Sequence, residues 1–436
     1  MSKSAPGYVC IRCGNATPLR LNVDSRGCLV CRDQAPANLR VAYAANVRKR
    51  WDFAAAAANG PPSLWRYEAM LPVAARDAIS MGEGMTPLMA APAMGKRLGL
   101  GRLLLKDETR NPTLSYKDRL STVAITAARQ MGAKVVATSS SGNAGASLAA
   151  YAARAGLPCI MVTFANSTGP MLAQARKYGA MVLPLASKSA RWPLLGEAVE
   201  QLGWFVTSPF RAPVVGSHPI GLEGYKTLAY ETVQQMGGDV PDWVVMPVCY
   251  GDALFGMWQG FLDLHASGVI ARLPKMAAAE VFGSLKTALA DSGDAVPEME
   301  ARFDTLAVSI GTSQGAFQAL QVLRQSGGAA VPVGNDGLIR LQEEFAASEG
   351  IFAELASVTP LAAAGRLRAS GVIGAGETVL AVITASGMKD LDRSLAEAQP
   401  LPATGGSLDN ALNYLEEYYG FAKHTRSKHK IMNSTR

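Results

Sequence analysis

Long unbroken apolar runs are missing from this chain. The least polar stretch, Val244 to Leu264, is interrupted by Pro247, Gly251, Asp252 and Gln259, so no segment reads as a membrane-spanning helix. The opening Met1-Ser2-Lys3-Ser4-Ala5-Pro6 lacks the apolar core of a secretion signal. Together these absences lead us to expect a soluble, cytoplasmic protein with no membrane partner. Concentrated basic charge is also lacking. The formal net charge is +7, but the lysines and arginines are scattered and part of the excess falls in the tail Lys423 to Arg436. Nucleic acid is therefore not the expected partner, and a small acidic metabolite fits better. No internal repeat is present.

Cysteine is sparse, with six in 436 residues, yet four of them are patterned: Cys10 and Cys13 form one C-x-x-C pair, Cys28 and Cys31 another. Two such pairs read as a zinc ribbon, in which four thiolates on two tight turns fit tetrahedral zinc. So short a segment has little apolar core of its own, and the metal would supply most of its folding energy. With every position filled by sulfur, the ion would be structural. The other reading, two redox or disulfide pairs, needs an oxidising compartment that nothing suggests.

The length exceeds what one hydrophobic core usually serves, and 49% hydrophobic residues are ample for two. Between Ala42 and Pro72 the composition turns Ala-rich and then Pro-rich, as a helix and linker would. Beyond it, short apolar strands (Leu103 to Leu105, Val135 to Thr138, Cys159 to Thr163, Met181 to Leu185, Val244 to Val248, Val379 to Thr384) alternate with alanine-rich helical stretches such as Ala144 to Ala155. This alternation predicts βα units on largely parallel sheets. From about Gln399 onward the chain reads as a linker, a short aromatic-rich helix over Leu408 to Phe421 and a basic tail.

Four segments carry candidate chemistry. In Asn111-Pro112-Thr113-Leu114-Ser115-Tyr116-Lys117-Asp118-Arg119, one lysine follows an apolar strand and its charged end, Lys106-Asp107-Glu108, and is held by turn residues, as a Schiff-base lysine would be. Ser139-Ser140-Ser141-Gly142-Asn143 lies between a strand and a helix, where backbone N–H groups can hold an anion or simply be capped. Pro247-Val248-Cys249-Tyr250-Gly251-Asp252-Ala253-Leu254 occupies a second strand-to-helix turn. Thr384 ends a strand ahead of Ala385-Ser386-Gly387-Met388-Lys389-Asp390.

Read together, and with Gly82-Glu83-Gly84-Met85-Thr86-Pro87-Leu88, these segments resemble the pyridoxal-phosphate (PLP) enzymes of the tryptophan-synthase-β type, most closely threonine synthases. The resemblance runs from the ribbon to about Asp390. It implies PLP fold type II, an α/β architecture of two domains with largely parallel twisted sheets flanked by helices, plus the N-terminal zinc ribbon. The expected boundaries are 1–40 for the ribbon, 41–119 with 211–398 for the large domain, 120–210 for a small inserted domain and 399–436 for a C-terminal extension. It further implies that Lys117 carries the cofactor and moves protons, that Asn143 donates to the cofactor's 3′-oxygen, and that Ser140, Ser141, Gly142 and Asn143 bind the substrate carboxylate. Thr384 would face the pyridine nitrogen, a neutral partner that favours elimination and replacement over amino transfer. Val248, Cys249, Tyr250, Gly251, Asp252 and Ala253 would form the phosphate cup. A homodimer acting on a small amino acid is expected.

The chain departs from the family pattern in places. Leu114 stands where a glycine is usual, Tyr225 replaces a glutamine in Ser217 to Thr227, and Cys249 and Asp252 replace phosphate-loop glycines. A carboxylate at Asp252 would repel phosphate unless it points outward. His218 reads as a capping or surface group more readily than as an acid–base residue. The segment Phe164 to Gln174, where threonine synthases carry lysines, has none. That predicts poor turnover of O-phosphohomoserine unless Arg191 or Arg211 supplies the cation. Open alternatives are a serine/threonine dehydratase, a diaminopropionate ammonia-lyase, a cysteate-type synthase or a non-catalytic regulatory relative.

Overall fold

The computed structural model describes residues 7–18, 23–165, 167–396 and 400–421, so the basic tail expected from Lys423 onward lies outside the described residues. The chain divides into two units, residues 1–394 and 395–436.

Among the described residues of the first unit, thirteen strands build three sheets. β1 (Gly7–Cys10), β2 (Ala16–Pro18) and β3 (Leu39–Ala42) form a small antiparallel sheet in the order β2-β1-β3. β4 (Leu88–Ala90), β5 (Arg102–Asp107), β10 (Trp243–Pro247), β11 (Lys275–Glu280), β12 (Ala329–Pro332) and β13 (Thr378–Ile383) form a six-stranded sheet in the order β12-β11-β10-β13-β5-β4. It is parallel except for β4, which runs antiparallel at the edge. β6 (Val136–Thr138), β7 (Cys159–Phe164), β8 (Met181–Leu185) and β9 (Phe205–Val206) make a parallel four-stranded sheet, β8-β7-β6-β9.

Side-chain alternation accounts for the two-sided burial of the six-stranded sheet. Successive strand residues point to opposite faces. Leu104, Val244, Met246, Met276, Ala278, Leu380 and Val382 enter one core, while Leu103, Leu105, Trp243, Val245, Ala277, Val379 and Ala381 enter the other. Both faces are covered by helices, as a parallel sheet requires. Those used below are α1 (Lys117–Gln130), α2 (Asn143–Ala155), α3 (Pro170–Lys177), α4 (Arg191–Leu202), α5 (Pro219–Gln235), α6 (Asp252–Ala266), α7 (Phe317–Gln325) and α8 (Leu355–Ala369). Helices α1, α5, α6 and α7 contribute Val123, Leu228, Phe261 and Leu320 to the first core, and α8 contributes Val358 and Leu361 to the second.

Sheet order also locates the cleft. From β10 the chain steps outward through β11 to β12, whereas β13 and β5 lie on the other side, so the order reverses between β10 and β13. Ligands of open α/β sheets bind beyond the carboxyl ends of strands at such a point. The segments leaving these two ends are 248–251 and Thr384–Asp390. Strand β6 is the equivalent reversal in the four-stranded sheet, and the 139–142 turn leaves its carboxyl end.

In the second unit, α9 (Leu408–Tyr419) is capped by Ser407, whose hydroxyl accepts from the Asn410 N–H at 3.2 Å, and ends at the left-handed Gly420. Among the described residues, no helix is long and apolar enough to cross a membrane.

Candidate active site

Lys117 is the first residue of α1, and its position is fixed from behind. The Tyr116 N–H donates to the Thr384 carbonyl at 2.9 Å, the Ser386 N–H donates to the Leu114 carbonyl at 3.1 Å, and Ser115 pairs with Ala385 in an isolated bridge. The turn carrying the lysine is thus stitched to the end of β13. Leu114 takes φ +63°, a left-handed conformation that a branched side chain adopts at a cost. The glycine usual here is missing from the sequence, but the turn has kept the glycine conformation.

The Lys117 ammonium lies 4.6 Å from the centre of the Tyr116 ring and 5.7 Å from that of Tyr225, with the two rings 5.3 Å apart. Burial works to lower its pKa, but Tyr116, Tyr225 and the Asp252 carboxyl outweigh burial and hold it well above the ordinary lysine value. Tyr225 therefore forms one wall of the lysine's surroundings.

Thr384 is buried, and its hydroxyl is 2.7 Å from that of Ser357 near the start of α8; Ser357 in turn accepts from the Ala385 N–H at 2.9 Å. Asn143, at the start of α2, donates from Nδ2 to Glu354 Oε2 at 2.8 Å, while its Oδ1 is buried without a partner among the described residues. Burial and the neighbouring Asp390 push the Glu354 carboxyl up to about 7. Gly145 allows the 139–142 turn to fold tightly onto α2, since a Cβ there would lie 2.0 Å from the Ser140 carbonyl oxygen. Ser140, Ser141 and Gly142 are half-buried on that turn.

At the second turn, Val248 leaves the sheet, Gly251 takes φ +84°, and α6 begins at Asp252. A Cβ on Gly251 would come within 2.5 Å of Ala319 Cβ, so this glycine is required twice over. The amides of Cys249 and of Gly251 through Leu254 have no hydrogen-bond partner among the described residues, as expected where a loop meets a helix start, while that of Tyr250 turns toward the Cys249 sulfur. The Asp252 carboxyl is engaged elsewhere. Oδ1 accepts from the Ser217 N–H at 3.0 Å and from Gln318 Nε2 at 2.7 Å, and Oδ2 accepts from the Ser217 hydroxyl at 2.6 Å. Asn38, just before β3, completes this network by donating to the Ser217 carbonyl at 3.2 Å and to Gln318 Oε1 at 3.1 Å.

A phosphate-bearing cofactor fits this arrangement. A lysine, the buried Asn143 amide with one Nδ2 proton not given to Glu354, a buried hydroxyl pair and amides without partners among the described residues converge at strand ends, and the one carboxyl at the 248–254 turn has its oxygens bonded to Ser217 and Gln318. His218 acts as a cap: its Nδ1 accepts from the Ile220 N–H at 3.3 Å, the ring stacks on Phe205, and burial lowers its pKa to about 4. Arg211 pairs with Asp33 at 2.8 Å. Glu354, Ser357 and Lys389 were not assigned roles from the sequence. Lys389 is buried, donates to Gln174 of α3, and has its pKa lowered by burial to about 8.

The four patterned cysteines also converge. Cys10 Sγ lies 3.8 Å from Cys31 Sγ, Cys13 Sγ lies 3.8 Å from Cys28 Sγ, and all four sulfurs fall within 4.8 Å of one another. A tetrahedron of sulfurs about 2.3 Å from a central zinc has edges of roughly 3.8 Å. All four thiols are free, as are Cys159 and Cys249.

Residues 79–385 match the family model described as pyridoxal-phosphate dependent enzyme. The threonine synthase of Methanocaldococcus jannaschii is 34% identical over 344 residues, 78% of this chain and 84% of that protein. That of Mycobacterium leprae is 30% identical over 74% of this chain and 88% of its own length. Among solved structures, maize serine racemase superposes with a TM-score of 0.60 at 19% identity, covering 72% of this chain and 91% of that one. Tomato threonine deaminase isoform 2 gives 0.60 at 18%, covering 72% and 83%. The fold is that of the type II PLP enzymes, and the chain belongs to the pyridoxal-phosphate-dependent enzyme family. Its relatives set it on the threonine synthase branch, as a PLP-dependent lyase of that type.

Proposed function

We propose that this lyase removes a β- or γ-substituent from a small amino acid, with O-phosphohomoserine, converted to threonine, as the first candidate. The observation that carries this reading is the stitching of the Lys117 turn to the end of β13, which gathers the lysine, the Thr384–Ser357 hydroxyls and the Asn143–Glu354 pair at one reversal of strand order. When bound, PLP supplies an electron sink for charge that develops at the substrate's α-carbon. In this reading Lys117 would hold the cofactor and would take and return protons at the substrate carbons. The turn Ser140 to Asn143 would receive the substrate carboxylate on the amides of Ser141 and Asn143 and on its hydroxyls, since the Ser140 and Gly142 amides donate to the Thr138 and Ser140 hydroxyls at 3.1 and 3.3 Å. Asn143, oriented by Glu354, would donate to the cofactor's ring oxygen, and Thr384 would offer the ring nitrogen a neutral hydroxyl. The amides of residues 249–253 would receive the phosphate; that of Val248, expected from the sequence to join them, donates instead to the Ala279 carbonyl at 2.8 Å.

The ribbon cysteines are read as a structural zinc site, supported by sulfur separations that match a tetrathiolate. Residues 120–210 are read as an inserted small domain, since β6 to β9 form their own sheet. A cytoplasmic homodimer belongs to the same reading; light scattering on the purified protein should give about twice 45.8 kDa.

Borohydride reduction of the cofactor-loaded protein, followed by peptide mapping, should place the label on Lys117. Phosphate release and threonine formation from O-phosphohomoserine should then be compared with keto-acid release from serine, threonine, diaminopropionate and O-phosphoserine. A label on another lysine would remove this reading. Labelling of Lys117 with turnover of none of the five would favour the regulatory relative.

A further inference from the structure

The segment Phe164 to Gln174 brings no cation of its own to the cleft. The segment after β8 does. Lys188 Nζ lies 5.8 Å from the centre of the Phe164 ring, and the Arg191 guanidinium lies 5.7 Å from it, so both cations stand over the first residue of the lysine-free segment. Arg191 is also tied to the substrate-carboxylate turn of the proposed site. Its Nη1 donates to the Ser139 carbonyl at 2.9 Å and its Nε to the Lys188 carbonyl at 3.1 Å, while the adjacent Trp192 reaches the Ser139 hydroxyl at 3.4 Å. From the opposite loop, Tyr250 lies close enough to interact electrostatically with the guanidinium.

Neither cation has a carboxylate partner among the described residues. Arg191 is half-buried, so part of its hydration is lost, and two backbone carbonyls return only part of that loss. Nη2 has no partner among the described residues. A partly desolvated guanidinium with a free edge, beside a second cation and next to an amide-rich turn, is arranged for an oxyanion that binds transiently rather than for a fixed ion pair.

We propose that Arg191, assisted by Lys188, binds an oxyanion carried on the side chain of the amino-acid substrate and so selects acidic substrates. This deepens the reading given above and rests on it. The cation that the segment after β7 lacks is supplied by the segment after β8. The planar fork of Arg191 suits a phosphate monoester, a sulfonate or a carboxylate, and the substrate panel tells these apart.

The test compares Arg191→Ala and Lys188→Ala with the parent holoenzyme on O-phosphohomoserine, O-phosphoserine, aspartate, cysteate, serine and threonine. For Arg191→Ala, KM for the best acidic substrate should rise at least 10-fold more than KM for serine or threonine; Lys188→Ala should give the same selectivity at roughly 3-fold. Isothermal titration of the holoenzyme with inorganic phosphate should show affinity that falls at least 10-fold in Arg191→Ala, a result that does not depend on turnover. Should Arg191→Ala fail to fold, Arg191→Lys keeps the charge without the fork and should still raise KM for the acidic substrate selectively. Equal changes for acidic and neutral substrates, or an unchanged phosphate titration, would overturn the proposal. Failure of Lys117 to take the borohydride label would overturn the reading it rests on, and is seen separately.

Discussion

Replacing Arg119 by methionine isolates the buried charge that anchors α1. The guanidinium is fully buried and bonds two carboxylates: Glu108 through contacts of 2.7 and 2.7 Å, and Glu231 through contacts of 2.6 and 2.7 Å. Lys106, also fully buried, meets Glu231 at 2.8 Å. Two cations therefore balance two carboxylates. Methionine keeps most of the volume but leaves one cation against two carboxylates in a dry interior, a change that costs about 3–5 kcal/mol. Against a typical total of about 5–15 kcal/mol that is a large share. Because Arg119 lies two residues after Lys117, the loss should also loosen the lysine.

The assay is urea unfolding of the holoenzyme, followed by both cofactor absorbance and far-ultraviolet circular dichroism. The double variant Arg119→Met/Glu231→Gln restores one cation against one carboxylate, so it should be less destabilised than the sum of the single changes by about 1–3 kcal/mol. The acid limb tests the same cluster. Burial pushes the Glu231 carboxyl up, but Arg119 and Lys106 outweigh it and hold it down at about 2. A depressed carboxyl contributes stability that is complete above its ordinary value near 4.5 and is lost as pH falls toward 2, and the Glu231→Gln variant should lack that limb. A cost below about 1 kcal/mol for Arg119→Met, or strict additivity in the double variant, would refute the argument.

Leu114→Gly should raise stability by about 1 kcal/mol, because it relieves the left-handed conformation of a non-glycine residue; an unchanged or lower melting temperature would refute this. Glu354, raised to about 7 by burial and Asp390, binds its proton more tightly folded than unfolded, so its contribution to stability falls as pH rises from about 4.5 to 7. Through Asn143, the cofactor spectrum should titrate near pH 7 and lose that step in Glu354→Gln; a step that persists would assign it elsewhere. Asn38→Ala removes two hydrogen bonds from the network that holds Asp252 and should weaken cofactor binding by roughly 3- to 30-fold. Cys10→Ser should lose about one equivalent of zinc and move cofactor affinity in the same direction, and unaltered affinity in both variants would separate the ribbon from the phosphate loop.

Sequence legibility followed how local each signal is. The Lys117 turn, the two C-x-x-C pairs and the strand ends at Thr138 and Thr384 are contiguous patterns, and the strands expected at 135–138, 159–163, 181–185, 244–248 and 379–384 lie within a residue or so of β6, β7, β8, β10 and β13. Strand β11 escaped because its run Met276 to Ala279 is dominated by alanine, a helix former, and is held extended by pairing with β10 and β12. Glu354 lies 211 residues from Asn143, and Arg191 lies 52 from Ser139, so only tertiary folding brings them together. Sequence could flag the carboxylate of Asp252 in the turn proposed to bind phosphate, but not the residues that engage it. Ser217 and Gln318 do so from 35 and 66 residues away.

The bonds from Asn38 have a consequence for the order in which the protein is made. Its partners lie 179 and 280 residues downstream, so at about 5–20 residues per second the ribosome delivers Gln318 roughly 15–55 s after Asn38. On the reading of the four cysteines as a zinc site, a nascent chain holding them would be able to bind metal from the start of that interval, while the anion loop is made only late in it and then still lacks Gln318, one of the two residues that restrain Asp252. Metal loading would therefore come early in synthesis and competence for cofactor late, with Asn38 waiting between them.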